Sequence, residues 1–308
     1  MIANVALLAG ISIAWAAGYL FVSDADHEVP PLTAAAAMAL VAATVMIAAV
    51  AAMRRPLLAT VRQRAWVPMT MAFTAIALPN LFVVLAEEKV PADLAALLGT
   101  TVPILTLLIT TFVTRQTAYS TWRVAGVAIA VVGLVVFVGA DNLFANEMEL
   151  VGMLTMMAGG LVFAVNGIFV SRVSADTDAY ALATWTMIFG AAVLVAMAFA
   201  FEEPLDALRP DHIWPLVAEG TIGMGLAYLG YYVLVARSGA YFASLYAFLV
   251  PPFGVIASAL VFHEPLTLRH AAGLLIVLAG LALMLRQRRR STANAQPENG
   301  GLASRVPT

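Results

Sequence analysis

SLYAFLVPPFGVI, residues 244–256, is apolar enough to be the middle of a buried helix, yet Pro251 and Pro252 stand at its centre. A proline inside a helix removes one backbone hydrogen bond and presses on the preceding turn, costing about 3 kcal/mol or more in water. Whatever surrounds this stretch must tolerate the break or use it.

Composition identifies the surroundings. Of 308 residues 62% are hydrophobic and 11% charged, with a mean hydropathy of +0.93. Such a chain cannot hide its apolar surface from water, so it reads as an all-α integral membrane protein. A helix needs about 20 apolar residues to cross a hydrocarbon core of roughly 30 Å. Ten such segments are expected, near 2–22, 32–52, 66–86, 92–113, 120–139, 150–171, 179–200, 213–235, 240–261 and 268–286. A transmembrane β-barrel would show alternating segments of about ten residues, whereas these runs are continuous. The first segment lacks the basic start of a signal peptide and is too long for one, so it is read as a helix. Residues 287–308 are polar and are expected to form a disordered cytoplasmic tail. There is no cysteine, so thiol and disulfide chemistry are excluded.

Basic residues orient the segments. With a cytoplasmic N-terminus, Arg54, Arg55, Arg62, Arg64, Arg115, Arg123, Arg172, Arg237, Arg286, Arg288, Arg289, Arg290 and Arg305 fall inside. Only Lys89, Arg209 and Arg269 fall outside, the asymmetry expected of short loops. Both termini are then cytoplasmic. The outer side holds His263, Glu264 and His270, read as solvated interfacial groups rather than a metal site.

Sliding the chain on itself by 148 residues aligns Trp66 with Trp214, Lys89 with Arg237, Ala95 with Ala243, Leu97 with Leu245 and Pro103 with Pro251. Gly126 and Gly133 meet Gly273 and Gly280 one residue of slippage later. Five segments per half is an odd number, so the second half enters the membrane upside down. The expected architecture is two inverted five-helix repeats, 1–140 and 147–286. In such transporters the site lies near the midplane, where helices are interrupted. Pro103 and Pro251 are therefore expected to be paired hinges, a packing kink being the plainer alternative for either alone.

The stretch ASLYAFLVPPFGVIASALVFHEPLTLRHAAGLLIVLAG (243–280) resembles the EamA-type members of the drug/metabolite transporter superfamily. It carries the small-Ser-Leu start, the mid-helix proline, Glu264 at the helix end and the spaced glycines; the first half is a weaker copy with Gln116 near the position corresponding to Glu264. The resemblance implies ten helices, cytoplasmic termini and a central cavity walled by the first four segments of each half, with the fifth and tenth packed aside. It also implies export of amino acids or other small metabolites, by exchange or with proton coupling.

Polar side chains inside membrane helices mark pathways by default. Ser12, Trp15 and Tyr19 share one face of the first segment, and Asn80 aligns by the offset with Tyr228. Expected to line the substrate path are Trp15, Asn80, Thr100, Asn166, Tyr228, Tyr232 and Phe248, with an interhelical hydrogen bond as the alternative role for either Asn. Glu219 is the candidate coupling group, or else a carboxylate facing an outer vestibule. The glycine pairs of the fifth and tenth segments suit close helix packing.

Basic residues sit at helix ends, which argues against phosphorylated cargo. The main expectation is a secondary transporter exporting amino acids across the bacterial inner membrane by alternating access; a drug or hydrophobic-cation exporter and a lipid flippase remain as alternatives. No catalytic constellation, cofactor, metal site or nucleic-acid partner is expected. The partners are a small-molecule substrate and the lipid bilayer, with the protein as monomer or homodimer.

Overall fold

The computed structural model describes residues 2–22, 29–87, 89–90, 98–138, 147–204, 208–263 and 266–294, and every regular element among them is helical. The elements are α1 (Ile2–Val22), α2 (Pro31–Ala52), the short α3 (Leu57–Arg64), α4 (66–87), α5 (101–113), α6 (Thr121–Val138), α7 (Glu147–Val173), α8 (Ala179–Phe201), α9 (210–238), α10 (240–262) and α11 (Leu268–Asn294). Among the described residues, six stretches are able by length and composition to cross a membrane: Pro31–Ala52, Trp66–Ala86, Leu150–Val173, Ala179–Phe201, Ala240–Val261 and Leu268–Leu285. Ile2–Ala17, Thr101–Val113 and Thr121–Phe137 are shorter apolar helices.

Several helices are not α-helical throughout. In α4 and α9 the winding loosens to π-helix over Ala72–Ala77 and Gly220–Leu226, stretches whose first residues are 148 apart. α5 ends in a π segment, Ile109–Val113. In α10 the 3₁₀ turn Leu245–Phe248 separates Ala240–Ser244 from Val250–Phe262. This resolves the placement of the prolines. Pro251 and Pro252 do not interrupt a continuous α-helix; they occupy the first turn of a new one, where no intrahelical N–H is needed. Pro103 likewise sits in the first turn of Thr101–Leu108.

α2 and α8 are tied at both ends. Pro31 opens α2, where its missing N–H costs nothing. The Glu202 carboxylate, just past the end of α8, accepts from Leu32 N at 3.0 Å, Thr33 N at 2.7 Å and Thr33 Oγ1 at 2.7 Å. At the opposite end Asp178 accepts from Tyr180 N and Ala181 N, each at 3.0 Å, and pairs with Arg55 at 3.1 Å, just past the end of α2. Each acid therefore satisfies otherwise orphaned N–H groups at a helix start.

α6 and α11 pack along their lengths as a separate pair. A Cβ on Gly280 would lie 2.6 Å from the Gly126 carbonyl, and one on Gly133 2.6 Å from the Val277 nitrogen. Backbones approach this closely only where side chains are absent. Among the remaining helices, α1 packs on α9 and α10, α7 on α4 and α5, α2 on α9, and α8 on α4.

One expectation is corrected. α11 continues through Asn294, so residues 287–294 are helical rather than a disordered tail. Extending a formed helix adds a hydrogen bond per residue without a new nucleus, and polar Arg and Gln propagate it well. Residues 295–308 lie outside the described residues, as do Glu264, residues 23–28 and the start of the fourth expected segment.

Candidate functional site

Five aromatic rings from four helices meet between α1, α7, α9 and α10. Trp15 of α1 stacks at 4.1 Å on Tyr246 of α10 and meets Tyr228 edge-on at 5.6 Å and Tyr231 at 5.8 Å, both from α9. Phe163 of α7 closes the group, 5.3 Å from Tyr231, 6.2 Å from Tyr228 and 6.4 Å from Tyr246. Apart from the closer Trp15–Tyr246 contact, these separations fall in the range that ring quadrupoles favour. Phe163 and Tyr231 are buried, whereas Trp15, Tyr228 and Tyr246 are only partly so.

Trp15 and Phe163 are 148 residues apart, the same offset that separates Trp66 from Trp214 and Pro103 from Pro251. Tyr231 reaches α7 because residue 167 is glycine: a Cβ there would lie 2.6 Å from the tyrosine hydroxyl oxygen.

Polar groups flank the rings. Tyr228 Oη donates to the Ala75 carbonyl at 3.2 Å, within the π segment of α4. Asn166 Oδ1 accepts from Thr74 Oγ1 at 3.2 Å, linking α7 to the same segment. Tyr232 is fully buried, and its ring lies 6.1 Å from that of Tyr231.

The structure therefore brings Trp15 and Tyr228 together, with Asn166 and Tyr232 beside them. Asn80 points back to its own helix, donating to the Ile76 carbonyl at 2.8 Å, rather than bonding across helices. Thr100 is buried at the start of the helical stretch Thr101–Leu108, and Phe248 is buried in the apolar core at the end of the 3₁₀ turn. Pro103 and Pro251 are both buried at their corresponding breaks. Glu219 is half-buried at the last α-helical residue before the π segment of α9, its carboxylate folded over Gly223 so closely that a Cβ there would collide with it. The side chain of Tyr19 lies outside the described ones.

Tyr246 and Tyr231 are ring members that the spacing did not single out. A separate groove of about 410 Å³ between α4 and α8, lined by apolar residues including Met69, Phe73, Phe189 and Met197, contains none of the five rings.

The sequence model of the EamA-like transporter family matches residues 3–139 and 150–286. The chain belongs to this family. Its apolar helices make it a multi-pass membrane protein. An uncharacterized transporter of Archaeoglobus fulgidus is 26% identical over 212 residues, 68% of this chain and 73% of that one. The uncharacterized transporter YvbV of Bacillus subtilis is 24% identical over 164 residues, 53% of each chain, so the match spans about half of that relative's length. YoaV of Bacillus subtilis, also an uncharacterized transporter, is 22% identical over 182 residues, 59% of this chain and 62% of that one. A solved crystal structure shares the fold with a TM-score of 0.77 at 18% identity, covering 94% of this chain and 99% of that one.

Proposed function

We propose that this EamA-like transporter exports amino acids across the bacterial inner membrane by alternating access, with the five-ring cluster walling the substrate path. The observation that carries this reading is the cluster that the partly buried rings of Trp15, Tyr228 and Tyr246, supplied by three different helices, form with Phe163 and Tyr231. Ring faces offer a surface for apolar or aromatic side chains and attract an ammonium group through their quadrupole.

Ten spans in two inverted five-helix repeats, with both termini cytoplasmic, complete the proposal. It draws support from the two family-matched stretches and the π segments spaced by 148 residues. Helix pairing adds to it, because exchanging halves converts the α4–α7 pair into α9–α1, and α5–α7 into α10–α1. In this reading the breaks at Pro103 and Pro251 are the hinges, and Glu219 is the proton-coupling group.

A hydrophobic-cation exporter is the second reading, favoured by the same rings. Counterflow separates the two. Proteoliposomes loaded with unlabelled amino acids are expected to accumulate labelled amino acid. Counterflow of a lipophilic cation in place of every amino acid tested overturns the amino-acid assignment.

A further inference from the structure

We propose that Tyr231, seated on Gly167, and the short stretch Ala240–Ser244 form a gate that closes the substrate path at its arginine-bearing end. The proposal rests on the alternating-access reading of the aromatic cluster and adds which contact must part.

Two groups of helices meet here. α1 packs on α9 and α10, and α7 packs on α4 and α5. Tyr231 belongs to the first group and Gly167 to the second. A Cβ at residue 167 would lie 2.6 Å from the Tyr231 hydroxyl oxygen and 3.8 Å from Ala240 Cβ, so α9 and the start of α10 press on α7 together. Ala240–Ser244 is buried at every residue and packs on both α7 and Thr101–Leu108 of α5.

Depth sets the contact between the rings and the basic helix ends. Gly167 stands six residues before Val173, the end of α7, and Tyr231 six residues before Arg237. Each is therefore about 9 Å from a last turn that carries Arg172 or Arg237. Phe163 and Tyr228 stand four and three residues farther in. Tyr231 meets the rings of Trp15, Phe163 and Tyr246 and is 1% exposed, whereas Trp15, Tyr228 and Tyr246 are only partly buried. Tyr231 is thus the ring that shuts the cluster off from the arginine-bearing side.

The stretch beside it is bounded by two backbone breaks. Gly239 joins it to α9 at φ +83° and ψ 160°, a conformation that favours glycine. The 3₁₀ turn Leu245–Phe248 parts it from Val250–Phe262. Hinges absorb their motion at a few such element-terminal residues, so Ala240–Ser244 can swing without unwinding either neighbour. At the positions 148 residues before Gly167 and Tyr231 stand Tyr19 and Val83. One tyrosine against one smaller residue recurs there, with the tyrosine on the other member of the pair.

Two measurements test the gate, both made clean by the absence of native cysteine. Ala240→Cys and Ala181→Cys place single thiols at residues 2% and 0% exposed, the second in the first turn of α8 and outside the gate. In lipid nanodiscs a water-soluble maleimide is expected to modify the Ala240→Cys protein about tenfold or more faster, because only that site opens during the cycle. Equal rates overturn the gate whatever the cargo. Gly167→Cys combined with Ala240→Cys sets two Cβ atoms 3.8 Å apart, a disulfide distance, with Tyr231→Phe added to remove the hydroxyl in the way. The oxidised protein is expected to run counterflow, of an amino acid or a lipophilic cation, about tenfold or more slower than the same protein reduced. Equal, measurable counterflow in both forms, with the cross-link verified by mass spectrometry, overturns the gate, as does failure of the pair to cross-link. Wild type that carries neither cargo, while the Ala240→Cys protein still reacts the faster, overturns the cargo assignments and leaves the gate standing.

Discussion

The Tyr228 hydroxyl donates to the Ala75 carbonyl at 3.2 Å, inside the π segment of α4 and four residues before Pro79. In an α-helix the Ala75 oxygen would accept from residue 79, which as proline has no N–H. The partner comes from another helix, so a local backbone defect in α4 becomes a bond to the aromatic cluster. Tyr228→Phe is expected to lower stability by about 1 kcal/mol. In a Pro79→Ala background, where the carbonyl regains a backbone donor, the same change should cost less. Unfolding of the double-mutant cycle checks this; additive single effects would show the two residues to be independent.

The two ends of the α2–α8 pair are predicted to act separately. Glu202→Ala removes the acceptor for Leu32 and Thr33, and Asp178→Ala removes the acceptor for Tyr180 and Ala181. Each loss of a cap should cost about 1 kcal/mol, and the double variant about the sum. Thermal unfolding in detergent reads both, and a neutral result at either site contradicts the capping role.

Close approach of α6 and α11 predicts sharp size sensitivity. Gly133→Val forces a side chain against the Val277 backbone and is expected to destabilise by about 1–3 kcal/mol or more. Gly10→Val, at a position with nothing within 4 Å of the added Cβ, should be nearly neutral. Similar losses at both positions would mean that helix propensity, not contact, sets the cost.

Glu219→Gln is expected to abolish transport driven by a pH gradient while leaving exchange of labelled for unlabelled substrate intact. Gly223→Ala, whose Cβ would collide with the Glu219 carboxylate, should produce a partial form of the same defect. Parallel assays with and without the gradient check this. Equal loss in both assays would make Glu219 structural.

Helix positions were legible because length and apolarity are properties of single segments, and the Gly126, Gly133, Gly273 and Gly280 spacing was legible because contact faces recur along a helix. Side-chain direction was legible only where winding is regular. An α-helix turns about 100° per residue, and the π segment Gly220–Leu226 breaks that phase ahead of the tyrosines of α9. A 3₁₀ turn advances about 120° per residue. Tyr246 and Phe248, two apart in such a turn, therefore face different ways, one to the rings and one into the core. The partner of Asn80 depends on the local α4 backbone, and the pairing of Trp15 with Tyr246 depends on tertiary packing that composition does not reveal.

The most direct measurement is amino-acid counterflow into proteoliposomes by wild type, Trp15→Ala and Tyr228→Ala, with folding verified by size-exclusion profile. If the rings wall the path, both variants lose counterflow or change their order of preference among amino acids. Wild-type rates and preferences in both folded variants would place the substrate path elsewhere in the bundle.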